Sequence, residues 1–175
     1  MTITAIRRLV ATGLVAVGVA AAVAPAASAD TLTVRTTVSV PAPYDASALY
    51  AGNFVDEAKG PVMLAVRHTI TCVKGTQRRS GYPKMCQWSS GIYGDSATLG
   101  ARQGMGDVYA AGVSGRPQGD TFHAGTLPVG GVATDDWNVV VRGDNLPEPT
   151  EVFHMSVSAT GGGSVVRNFT IMDND

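Results

Sequence analysis

From residue 30 onward the chain never sustains a helical period. Its apolar residues recur at every second position in short runs, and glycine or proline closes most of them. Residues 31–40, TLTVRTTVSV, open on β-branched alternation, which Pro41 and Pro43 then end or hold at a sheet edge. Val62, Leu64 and Val66 place an apolar side chain on every second position, as a strand with one face in a core requires. Near the C-terminus the pattern predicts a strand at 137–142, a polar turn at 143–150, a strand at 151–158 and a last strand at 165–172. A glycine turn at 161–163 joins the last two. Residues 95–119 are rich in Gly, Ala and small polar residues and define no strand ends. The 21 glycines and 9 prolines fit short strands joined by turns, so the expected class is all-β.

The first 29 residues read as an export leader. Arg7 and Arg8 form the positive region, an apolar run follows from Leu9 to Val23, and Ala27-Ser28-Ala29 supplies a small-residue cleavage pattern. Cleavage after Ala29 leaves residues 30–175, a length that suits one domain. No later stretch approaches the roughly 20 apolar residues that span a bilayer, so the expectation is a secreted, extracellular chain with no membrane span. Loss of Arg7 and Arg8 takes the 13 basic residues to eleven against 14 acidic ones, and the formal charge from −1 to −3. That balance argues against nucleic acid as a partner.

Cys72 and Cys86 are the only cysteines, and in an oxidising compartment a single disulfide is the default. The expectation is a disulfide-closed insertion at 72–86 that projects from a core built elsewhere. It carries Arg78, Arg79 and Lys84, with Tyr82 inside it and Trp88 nearby. This set suits an unknown protein or cell-surface polymer, since arginine and aromatic residues are common at binding hot spots. A solvated hairpin tip pinned by the disulfide is the plainer alternative.

The last two strands permit a geometric argument. A hairpin turned at Gly161-Gly162-Gly163 runs its strands antiparallel, and Glu151 and Asp173 both lie eleven residues from Gly162. Half a residue of shift pairs Glu148 with Asp175 instead. Either register returns the terminal acids to the 144–151 turn. Between Gly143 and Asp175 stand five acids and a single base, Arg167. Like charges gathered this way disfavour one another unless protons or a cation intervene. A hard divalent cation taking carboxylate and carbonyl oxygens resolves the repulsion, and calcium is the usual extracellular choice. The alternative from spacing alone is a set of ordinary solvated turn residues.

The stretch Val139-Val140-Val141-Arg142-Gly143-Asp144-Asn145-Leu146-Pro147-Glu148-Pro149-Thr150-Glu151-Val152-Phe153, with Phe169-Thr170-Ile171-Met172-Asp173-Asn174-Asp175 at the end, resembles the Calx-beta domain family. Upstream, Phe54-Val55-Asp56-Glu57 with Gly60 and the alternating run after it is similar to the family's opening. Gly119-Asp120-Thr121-Phe122 and Gly125-Thr126-Leu127 resemble two of its shorter signatures. The resemblance covers residues 54–71 and 119–175. It implies an immunoglobulin-like, two-sheet antiparallel β-sandwich with calcium ligands gathered at one end. Carried over residue by residue, it implies Glu57, Asp120, Asp144, Glu148, Asp173 and Asp175 as ligands, with the Leu146 carbonyl as a neutral one and Glu151 behind them. It implies one or two weakly held calcium ions. Gly143 and Asn145 flank a single aspartate where the family often has consecutive ones, and Asn174 interrupts the terminal acids.

No nucleophile and base can be assembled from the sequence, and His68, His123 and His154 lack metal-ligand spacing. His68 and His154 fall on or beside strands, as structural imidazoles do. The expected function is therefore a secreted calcium-binding module with a structural or interaction role and no enzymatic activity. The runner-up is a calcium-independent module that binds its partner through the basic Cys72–Cys86 loop.

Overall fold

The computed structural model describes residues 29–76, 81–100, 106–111, 122–143 and 149–172. The leader, apart from Ala29, lies outside them. Among the described residues ten strands form: β1 (Thr31–Ser39), β2 (Leu49–Tyr50), β3 (Phe54–Asp56), β4 (Val62–Lys74), β5 (Met85–Gly94), β6 (Val108–Ala111), β7 (Phe122–Pro128), β8 (Val132–Val141), β9 (Glu151–Ala159) and β10 (Ser164–Met172). Two single 3-10 turns, Ala46–Ala48 and Glu57–Lys59, interrupt them. Among the described residues no helix is long and apolar enough to cross a membrane.

The strands make two sheets, ordered β1-β4-β8-β6 and β2-β3-β10-β9-β5-β7. Neighbours pair antiparallel except β3 and β10, which run parallel. The chain crosses between sheets from β4 to β5 and from β8 to β9, so central strands β4 and β8 face β10, β9 and β5. This is the Greek-key crossing of an immunoglobulin-like β-sandwich, as expected. The antibody hallmarks are placed differently. The buried tryptophan, Trp137, stands on β8, and the disulfide joins the consecutive strands β4 and β5.

Alternation builds the core. On β4 the inward positions are Val62, Leu64, Val66, His68, Ile70 and Cys72, and each is buried. The upper apolar cluster collects Leu64, Val66, Trp137, Val139, Phe153, Phe169 and Ile171 among others. The lower cluster packs Leu32, Val34, Ile70, Leu127, Val157 and Ala159 around the Cys72–Cys86 disulfide. Both cysteines are therefore strand residues in the core, which corrects the expectation of a projecting, disulfide-closed insertion at 72–86. Only residues 75–84 lie between the two strands. β4 and β5 belong to opposite sheets, so the bond clips the sandwich together. A bond of this kind persists in oxidising compartments.

Asp30 secures the same end. Its carboxylate accepts the Thr76 backbone N–H and hydroxyl, each at 2.8 Å, and the Gln87 N–H at 2.8 Å. It thus ties the start of the fold to the far side of the β4–β5 connection.

Candidate functional site

Four strand termini converge at the end of the sandwich away from the disulfide. β3 finishes at Asp56 beside Met172, the last residue of β10. β9 starts at Glu151, opposite Ile171 of β10. β8 leaves through Arg142, whose N–H donates to the Asp107 carbonyl at 2.8 Å. Gly143 then crosses the Glu57–Lys59 turn so closely that a β-carbon there would lie 2.3 Å from the Glu57 carbonyl oxygen. Only glycine fits that crossing.

The acids on these termini are held rather than dangling. Asp56 and Glu57 are both buried, and Tyr50 donates its hydroxyl to Asp56 at 3.2 Å. Asp107 accepts the Thr98 N–H at 2.7 Å and the Thr98 hydroxyl at 2.5 Å. Partial burial pushes the Asp107 carboxyl up, but hydrogen bonds from Thr98 and Glu151 outweigh it and hold the group below the usual carboxylate range. Asp56, Glu57, Asp107 and Glu151 thus share one end, although among the described residues no three His, Cys, Asp or Glu side chains are arranged to hold a metal.

Of the residues expected to bind calcium, Glu57 stands at this end. Asp120, Asp144, Leu146, Glu148, Asp173 and Asp175 lie outside the described residues. Connectivity still fixes where their segments attach. Asp144 follows Gly143, which touches Glu57, and Asp173 follows Met172, which pairs with Asp56. β7 also begins toward this end, since Phe122 is opposite Gly91 and the antiparallel β5 finishes at Gly94. The hairpin register differs from the expected one. Ser158 faces Ser164 and Glu151 faces Ile171, so the hairpin centres on Gly161 rather than Gly162. Gly161 takes the left-handed turn position at φ 69°, and Gly162 packs against the Asp30 carbonyl. The pairing shifts by two residues, which leaves every side chain on its expected face.

A second polar constellation lies inside the sandwich, and the sequence reading did not find it. Thr36, His68, Ser90 and Asp135 are buried at one level between the two apolar clusters. The Asp135 carboxylate accepts from Ser90 Oγ at 2.5 Å and from Trp137 Nε1 at 2.8 Å, and His123 Nδ1 lies 2.6 Å from its other oxygen. His123 also stacks on Trp137 with ring centres 4.0 Å apart. His68 Nδ1 is bonded to Thr36 Oγ1 at 2.9 Å. Burial lowers the His68 pKa; the nearby Asp135 charge raises it by less, and Arg167 adds to the lowering. Although the layer contains serine, histidine and aspartate, the serine hydroxyl donates to the aspartate. A nucleophile needs its hydroxyl on a base. The arrangement joins the sheets and leaves Ser90 unactivated.

In the segment expected to meet a partner, Arg78 and Arg79 lie outside the described residues, while Tyr82 and Lys84 are exposed. Trp88 belongs elsewhere. It stands on β5, half-buried against the disulfide cluster, with its indole across Gly125.

No family model matches this chain, and no curated protein does. Among solved structures it is similar to one titled "Crystal Structure of the Periplasmic Chaperone SfaE", at 10% identity and a TM-score of 0.27. The match covers 78% of this chain and 55% of that one. A likeness of that size carries no argument about what this chain does.

Proposed function

We propose that this chain is a secreted calcium-binding β-sandwich module with a structural or interaction role, in which the ion fixes the loops at the acidic end. One observation carries the reading: both acid-bearing segments, 144–148 and 173–175, attach directly to residues that touch Asp56 and Glu57. Asp144, Glu148, Asp173, Asp175 and Asp120 are the proposed carboxylate ligands beside Glu57, with the Leu146 carbonyl as a neutral oxygen. Calcium accepts six to eight such oxygens in flexible geometry, which suits ligands drawn from several loops. The resemblance to Calx-beta domains supports the same assignment.

Isothermal titration tests it. Calcium should saturate one or two sites, and Asp144→Asn or Asp173→Asn should each weaken binding about tenfold, roughly 1.4 kcal/mol. Absence of any calcium-dependent heat would count against the reading. An exposed Tyr82 beside Lys84 supports the second reading, a partner bound by the 75–84 segment, and that reading survives a negative titration.

A further inference from the structure

The outer face of the six-stranded sheet carries a second surface, unrelated to the acids. Tyr93 is on β5 and Phe122 on the edge strand β7, and they are 43% and 55% exposed. Gly91 brings them together. It pairs with Phe122 across the strands, and the Tyr93 ring lies back over it, so that a β-carbon at 91 would come within 2.8–2.9 Å of the ring. His154 holds the Tyr93 ring in that posture. The two rings stack with centres 5.0 Å apart, and His154 Nδ1 is bonded to Asp95 at 2.9 Å.

From this aromatic corner an open groove of about 510 Å³ runs along β5 and β7, lined by Gln87, Ser89, Phe122, Ala124, Thr126 and Thr160. Four residue steps of strand separate Phe122 from Thr126, a length of roughly 13 Å. The floor at Ser89 and Ala124 is low because both side chains are small. The far end is amide and hydroxyl, where Thr160 Oγ1 meets Gln87 Oε1 at 3.4 Å. Among the described residues no charged side chain lines the groove.

We propose that this groove binds a neutral oligosaccharide. A pyranose ring has a face of C–H groups and a rim of hydroxyls. The exposed Phe122 ring, with the preset Tyr93 bordering it, matches the first, and Gln87, Thr126 and Thr160 match the second. Among the described residues the lining offers no cation to pair with uronic or sulfated sugars, which favours uncharged ones. Because Tyr93 is already held by His154, little ordering is needed on binding.

Affinity electrophoresis of the whole protein through gels containing β-glucan, xylan, mannan or starch, with polygalacturonate as the anionic comparator, tests the proposal. Retardation is expected with at least one neutral polymer. Tyr93→Ala and Phe122→Ala should each weaken it about tenfold, as loss of an aromatic anchor does. Gly91→Ala should weaken it with Tyr93 still present, because it lifts the ring. Val132→Ala, an exposed change on the other sheet, should leave it intact. Retardation by no neutral polymer, or by polygalacturonate alone, would overturn the proposal. So would unchanged retardation in Phe122→Ala, whose exposed side chain can be removed without unfolding the protein.

Discussion

His68 shows most directly what the buried layer costs and contributes. Its folded pKa is below the ordinary 6.5 because burial disfavours the imidazolium. The unfolded chain therefore binds the extra proton first, and stability rises with pH across the window between the two values. The His68 contribution is complete above about pH 6.5 and is lost as pH falls from there toward the lowered folded value. Thermal melts between about pH 7 and pH 5 should show falling stability, and His68→Gln should flatten that slope relative to the wild type. An identical slope in both proteins would remove His68 from the account. The same layer explains what could not be read from the residues. Asp135, His68 and Arg167 occupy strand positions that alternation reserves for apolar side chains, and Asp135 in particular concealed the first half of β8. Nothing in a single sequence marks an aspartate as buried; the partners that make it tolerable, Ser90, Trp137 and His123, come from other strands or from two residues along.

Among the elements, β1, β9 and β10 were legible almost to their ends. β4 was legible only in its first half, because His68 and the threonines beyond it blur the apolar period. That misreading made the disulfide look like the base of an insertion when it is an inter-sheet clip. The correction changes the expected energetics. Cys72→Ala with Cys86→Ala should cost about 3 kcal/mol from loop entropy alone. The paired serine variant should cost more, since two hydroxyls then replace sulfur inside the lower apolar cluster. Urea unfolding of the two variants decides between the placements: equal losses would favour a solvent-exposed bond. The hairpin was legible in its turn and faces but not its exact register, and Gly162 packs against Asp30, a contact between distant parts of the chain.

At the scale of the whole molecule the sandwich divides its work. One end is closed by the disulfide and Asp30, and the other gathers strand termini that carry Asp56, Glu57, Asp107 and Glu151. The convergence was legible in the sequence because it follows from antiparallel pairing, whereas the crossing of Gly143 over Glu57 depends on two sheets meeting and was not. The proposed cation at that end would tie β8, β9 and β10 to β3 and would bind only the folded chain. By linkage, calcium at about 100 times its dissociation constant stabilises by roughly 2.7 kcal/mol, a rise of several degrees in Tm for a domain of this size. The most direct measurement is the Tm of the wild type and of Glu148→Ala and Asp173→Ala, titrated with calcium through the weak millimolar range of extracellular modules to about 20 mM. The account predicts a rise of several degrees in the wild type, a smaller one with magnesium, and loss of most of the calcium shift in both variants. Their calcium-free Tm should be equal or slightly higher, because each removes like-charge repulsion. No shift in the wild type, or a full shift in both variants, would contradict it.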